Sequence, residues 1–150
     1  MSQTAECRQC TKCLAMFFDQ YSSKGTCPAG GSHQGGVYQF ELPYGLPETP
    51  NGQFNWWVCD KCVSVFYNGY PDKGVCPGGG GHQNWPRFDF LLAYNVAATS
   101  ASQDGWRYCG RCKGLFFNGE YANKGHCPAG GAHAAEGLLF TLPYFAGDEY

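Results

Sequence analysis

The sequence predicts an all-β protein made of three copies of one unit, and three observations carry that prediction. Glycine is abundant and spread along the chain, 22 residues in 150, so long helices would be interrupted repeatedly while turns between short strands are well served. Aromatic residues are numerous, with 11 Phe, 10 Tyr and 4 Trp, and they gather in short runs. A period-two segment also recurs, as Phe40, Leu42, Tyr44, then Phe90, Leu92, Tyr94, then Phe140, Leu142, Tyr144. Such alternation marks a strand with one buried face.

Aligning the cysteine pairs Cys10/Cys13, Cys59/Cys62 and Cys109/Cys112 gives pitches of 49 and 50 residues. Each unit begins with a strand that leads into the pair. An aromatic run follows: LAMFFDQY at 14–21, VSVFYNGY at 63–70 and KGLFFNGEY at 113–121. A Lys-Gly turn comes next, at 24, 73 and 124, and then a third short strand. A glycine-rich loop precedes the closing alternating strand. Read this way, residues 1–150 form a single domain of three repeats, 5–45, 54–95 and 104–145. The connectors at 45–53 and 95–105 are turn-rich and too short to be free tethers, and the polar tail at 145–150 is expected to fray.

The glycine loops read GTCPAGGSH, GVCPGGGGH and GHCPAGGAH. Combined with the pairs, each unit has the form C-x2-C, thirteen or fourteen residues, C, five residues, H. The predicted ligand sets are Cys10, Cys13, Cys27, His33; Cys59, Cys62, Cys76, His82; and Cys109, Cys112, Cys127, His133. Three thiolates and one imidazole suit tetrahedral Zn2+, so three structural ions are expected. A disulfide framework is the alternative for ten cysteines in a glycine-rich chain. The arithmetic opposes it, because each unit holds three of these cysteines, an odd number that no unit could pair internally, and because the histidine offset would have no purpose. The Gly-Gly pair between Cys and His lets the chain double back so that both ligands reach one ion. The proline after the cysteine stiffens that approach. Backbone N–H groups in the loop can stabilise thiolate charge.

Four protein ligands leave no position for water, so the sites are predicted to be structural and the protein not an enzyme. The motifs H-E-x-x-H, G-x-S-x-G, the phosphate loop and the zinc-deaminase pair H-x-E with P-C-x-x-C are all absent. Cys7 stands where the other units have Trp56 and Trp106, and is read as an apolar filler, the alternatives being a competing ligand or a free thiol. His126, whose counterparts are Thr26 and Val75, is read as a surface residue.

The C-x-x-C turn followed by an apolar strand resembles the first knuckle of a zinc ribbon, which implies three tandem ribbons as one architecture. The strand order of each unit resembles a lobe of a β-trefoil, the superfold of many lectins and of fibroblast growth factors. That resemblance implies twelve strands and a pseudo-threefold core where the Phe, Leu and Tyr of the three alternating segments meet. Short connectors and equal pitches favour this closed arrangement over the ribbons, because isolated units would expose their aromatic faces. The unit W-x-x-C-x-x-C, then L-F-F, then G-x-C-P-A-G-G-x-H, also looks like a repeat of microbial proteins whose functions are mostly unassigned. This likeness supports metal and repetition and implies no activity.

The leading functional expectation is a non-enzymatic, zinc-stabilised, lectin-like module for multivalent recognition of carbohydrate or a cell surface. Sugar binding needs an aromatic platform beside amide or carboxylate groups, and the turn after each aromatic strand has both: Asp19 and Tyr21, Asn68 and Tyr70, Asn118 and Tyr121. The competing reading makes the Asn and Asp turn residues and the tyrosines core cover. A toxin-like or adaptor protein that binds a protein receptor is the second class. Single-stranded nucleic-acid binding through Arg107, Arg111 and Lys113 is the third, and ranks lowest. Ten basic residues against twelve acidic ones offer no cationic face, and three thiolate-bound dications would take the formal charge from −2 to about −5. No signal peptide, apolar span or N-x-S/T sequon is visible, so the expected location is the cytosol, or outside the cell by a route without a signal peptide.

Overall fold

The computed structural model describes residues 3–20, 24–36, 38–45, 49–85, 88–119 and 124–144. These form nine antiparallel strands and no helix: β1 (Gln3–Gln9), β2 (Met16–Phe18), β3 (Phe40–Tyr44), β4 (Gly52–Val58), β5 (Val65–Tyr67), β6 (Phe90–Tyr94), β7 (Ser102–Cys109), β8 (Leu115–Phe117) and β9 (Ala135–Pro143). Each unit is a three-stranded ladder whose first strand is central, flanked by the short aromatic strand on one side and the alternating strand on the other.

The alternating strands join the units. Tyr44 pairs with Phe90, Tyr94 with Phe140, and Tyr144 with Phe40, so the last aromatic of each F-x-L-x-Y segment meets the first aromatic of the next. The third pairing brings the chain back to its first unit. Inside this ring Phe40, Phe90, Phe140, Leu42, Leu92 and Leu142 are all buried and form the main core with Trp56 and Trp106. The short strands repeat the cycle through single bridges: Phe17 to Ser64, Phe66 to Gly114, and Ala15 to Phe116. Adjoining units therefore share backbone pairing at both ends, which independent tandem ribbons would not do.

The trefoil resemblance implies twelve strands, whereas nine are present among the described residues. The difference lies after each Lys-Gly turn, where the expected third short strand forms no ladder. Gly25, Gly74 and Gly125 have φ of 72°, 73° and 78°, a left-handed conformation that breaks strand geometry.

The first unit departs from the others for a packing reason. In units two and three one extra residue bulges from the central strand, between Gln53 and Trp56 and between Gln103 and Trp106. Asn55 and Gly105 take positive φ there. The bulge places each glutamine's Oε1 to accept from the buried indole, at 2.9 Å for Trp56 and 3.0 Å for Trp106. Unit one has Cys7 and Ala5 in place of Trp and Gln, and pairs through Ala5, Glu6 and Cys7 without the bulge. A buried indole N–H needs an acceptor, and a thiol does not.

Candidate metal centres

Twelve residues converge in three quartets: Cys10, Cys13, Cys27, His33; Cys59, Cys62, Cys76, His82; and Cys109, Cys112, Cys127, His133. Within each quartet the donor atoms lie within 4.8 Å of one another, and every member is buried. All ten cysteines are unbridged. Cys7 belongs to none of the quartets. It sits in the main core, where burial pushes its thiol well above the usual range and keeps it a neutral apolar filler.

Local backbone geometry makes each site. After the second cysteine, Leu14, Val63 and Lys113 adopt φ of 68°, 71° and 71°, so the chain turns sharply enough for both thiols of the pair to face one point. Leu14, Val63 and Lys113 N–H groups close these turns on the carbonyls of Cys10, Cys59 and Cys109. In the glycine loops the Cys27, Cys76 and Cys127 N–H groups bond to the carbonyls of Gly31, Gly80 and Gly131. Gly30 and Gly31, with φ of 110° and 66°, double the chain back as the Gly-Gly reading requires. A basic residue inside each C-x-x-C then ties pair to loop: Lys12 to the Gly30 carbonyl, Lys61 to Gly79, and Arg111 to Ala129 and Ala132.

The separations fit one tetrahedral ion per quartet. Cys10 and Cys27 sulfurs are 3.8 Å apart, Cys59 and Cys76 3.8 Å, and Cys109 and Cys127 3.9 Å. The sulfurs of Cys13, Cys62 and Cys112 lie 3.5, 3.5 and 3.6 Å from the Nδ1 atoms of His33, His82 and His133. Metal–sulfur bonds of about 2.3 Å and metal–nitrogen bonds of about 2.0–2.1 Å give tetrahedral edges of about 3.8 Å and 3.5–3.6 Å. A disulfide would hold its sulfurs at about 2.05 Å.

The histidines connect neighbouring sites. His33 Nε2 lies 3.0 Å from the Cys62 carbonyl, His82 Nε2 3.0 Å from Cys112, and His133 Nε2 3.0 Å from Cys13. A carbonyl only accepts, so Nε2 carries a hydrogen, and Nδ1 is the ring nitrogen that faces the sulfurs. Each imidazole also stacks on a buried ring, Phe17, Phe66 or Phe116, with centroids 5.0, 4.8 and 4.6 Å apart. The second cysteine of every unit is therefore held by the histidine of the unit before it.

Electrostatics show why a cation belongs here. A hydrogen bond from Cys13, Cys62 or Cys112 pulls its partner, Cys10, Cys59 or Cys109, well below the usual thiol range. The donors Cys13, Cys62 and Cys112 are themselves pushed far up, first by those same bonds. Burial lowers His82 and His133, but the neighbouring thiolates override it and raise both to about 9. A metal-free quartet thus retains protons, and a dication would displace them. Backbone N–H groups already point at the sulfurs, Ala29 to Cys27 at 3.4 Å, Gly78 to Cys76 at 3.3 Å and Ala129 to Cys127 at 3.4 Å.

The turn residues proposed for sugar contact are placed differently from one another. Asp19 is engaged by Arg8 at 3.0 Å and Lys24 at 2.8 Å. The Asn68 and Asn118 carbonyls accept from Lys73 and Lys124. Tyr70 is half exposed. Tyr21 and Tyr121 lie outside the described residues. Sequence reasoning missed Gln53 and Gln103, whose signal was their shared offset of three residues before a tryptophan. No protein-family model, curated protein or solved structure matches this chain.

Replacing His82 by Cys tests the link between sites. Four donors remain, but the bond to the Cys112 carbonyl and the stacking on Phe66 disappear. The H82C protein should bind as much metal as the parent and lose about 2 kcal/mol of stability in urea unfolding. Parental stability would show that the inter-unit bond contributes nothing.

Proposed function

We propose that this protein is a non-enzymatic recognition module whose three repeats are held in shape by three Zn2+ ions. The observation behind this reading is that every quartet is complete and buried: three sulfurs and one imidazole nitrogen fill a tetrahedron and leave no face for a substrate. Borderline-soft thiolate and imidazole donors favour zinc among common divalent metals. Such ions supply charge compensation and shape rather than a reactive water.

The reading extends to lectin-like recognition of carbohydrate or a cell surface. A rigid β scaffold that shows a half-exposed tyrosine beside polar groups suits sugar rings, which stack their C–H faces on aromatic rings and hydrogen-bond at the edge. Among the described residues no helix is long and apolar enough to cross a membrane.

Two measurements test the proposal. Elemental analysis of natively purified protein should find about three zinc ions per chain, and a different metal or none would overturn the first part. A glycan array should yield defined binders. An empty array together with capture of a receptor protein would replace the lectin reading by the toxin-like or adaptor one.

A further inference from the structure

The three repeats leave unequal junctions. Between units two and three, Tyr67, Tyr70, Tyr108, Gln53, Leu138 and Phe140 line a cleft of about 120 Å³, room for a single six-membered ring. The tyrosine rings meet edge to face, with centroids 5.3 Å apart for Tyr67 and Tyr70, and 6.0 Å for Tyr67 and Tyr108. Gly137, at φ 74°, lies in a bulge of β9 where the strand's register with β7 shifts between Arg107 and Tyr108. Such bulges re-aim side chains and recur beside binding sites.

Tyr108 and Gln53 bring polar groups to the lining of this cleft, and Lys113 stands beside it. The Tyr108 hydroxyl is buried and has no partner at full hydrogen-bond geometry among the described residues, although the Lys113 ammonium acts on it. Gln53 uses its Oε1 on the Trp56 indole, which leaves its amide nitrogen directed elsewhere. The Lys113 ammonium stands 5.7 Å from the ring centroids of both Tyr70 and Tyr108. It also donates to the Gly110 carbonyl at 3.3 Å, lies 3.9 Å from the well-exposed Asp72, and feels the Tyr108 hydroxyl and the Glu136 carboxylate. A tyrosine cluster by itself would suit a quaternary ammonium, but a resident lysine over two of its rings repels one.

The other junctions lack this combination. Between units one and two, the places of Tyr67, Tyr108 and Lys113 are held by Phe18, Val58 and Val63, and Trp85 and Phe88 pack onto Phe18 at 5.8 and 5.2 Å. Between units three and one they are held by Phe117, Gln9 and Leu14.

We propose that the cleft between units two and three is a single binding site for one carboxylate-bearing sugar ring. The ring stacks on Tyr70, its carboxylate faces Lys113, and its hydroxyls take up the Tyr108 hydroxyl and the Gln53 amide. This inference rests on the lectin-like reading and narrows it from three equivalent sites to one acidic-sugar site.

The test uses full-length, metal-loaded protein titrated with glucuronate, galacturonate, glucose and a trimethylammonium ligand, followed by NMR shifts of the Trp56 indole and the cleft tyrosines. The uronates should bind about tenfold more tightly than glucose. Lys113→Leu, which installs the residue unit one carries there, should erase that preference while metal content stays parental. Tyr108→Phe should weaken uronate several-fold, and Tyr70→Ala, at a half-exposed position, should weaken both sugars. Equal binding of glucose and uronate, unchanged uronate binding in Lys113→Leu and Tyr70→Ala, or cleft shifts with the ammonium ligand alone would overturn the proposal. A positive glycan array with unaffected cleft variants defeats this site only, whereas an empty array defeats the lectin reading beneath it.

Discussion

Stripping the metal with a strong chelator is expected to collapse the whole chain in one transition rather than one repeat at a time. Around each quartet the buried apolar cluster consists of its own cysteines and one phenylalanine, with Ala15 added in the first unit. That is too little apolar surface to hold the loops together once three thiols and an imidazole lose their common ion. Structural zinc in small peptides contributes an apparent 10–16 kcal/mol per site, about the stability of an entire domain. The failure spreads because His33, His82 and His133 each grip the next unit's second cysteine, and the third grips the first. Far-UV circular dichroism and metal release, followed together, should fall with one midpoint. A spectrum that persisted after verified metal loss would contradict the structural role, and three separate steps would contradict coupling around the ring.

Gly25→Ala should be among the most damaging single changes outside the ligands. A Cβ at this position would stand 2.0 Å from the Cys62 carbonyl oxygen and 2.5 Å from its carbon, both rigid backbone of the neighbouring unit. Gly74 faces Cys112 at 2.2 Å and Gly125 faces Cys13 at 2.1 Å, so the same close approach recurs around the ring. This explains the recurrent Lys-Gly pair. Lysine at 24, 73 and 124 ties the preceding turn by its ammonium and bonds the metal-site histidine through its carbonyl. Glycine then lets the next unit approach. The φ of 72° at Gly25 alone costs an alanine about 1–2 kcal/mol, and separating the units should bring the total above about 3 kcal/mol. Gly45→Ala is the matched control, with φ of 76° and nothing within 4 Å of the added carbon. Its cost should stay at about 1–2 kcal/mol. Equal melting temperatures for the two variants would show that the close approach does not matter.

The asymmetry of the junctions has a simple origin. Cys7 replaces a tryptophan in unit one, and the core at that junction is completed by Phe88, which stacks on Phe90 at 5.8 Å and meets Phe18 and Tyr44 edgewise or tilted. In unit three the corresponding position is Leu138, which is smaller and only partly buried, and the tyrosine cleft opens beside it. Repetition of a scaffold therefore does not carry repetition of its surface, because each junction is completed by different side chains.

The metal quartets were legible in the sequence, since ligand identity, C-x2-C spacing and a Gly-Gly turn are local properties of twenty-odd residues. The alternating strands were legible for the same reason: a period of two needs only five residues to declare itself. The twelve-strand count was not, because whether the segment after Lys-Gly joins a ladder depends on a carbonyl in another unit occupying the space beside Gly25. Nor were the Gln–Trp bulge, the histidine bonds between units or the single tyrosine cleft. Sequence alone determined which atoms gather into the three quartets and how often the unit repeats. Tertiary structure decided how the copies close on one another and which junction stays open, because those outcomes rest on contacts between residues some thirty to fifty positions apart or at opposite ends of the chain, as with His133 and Cys13.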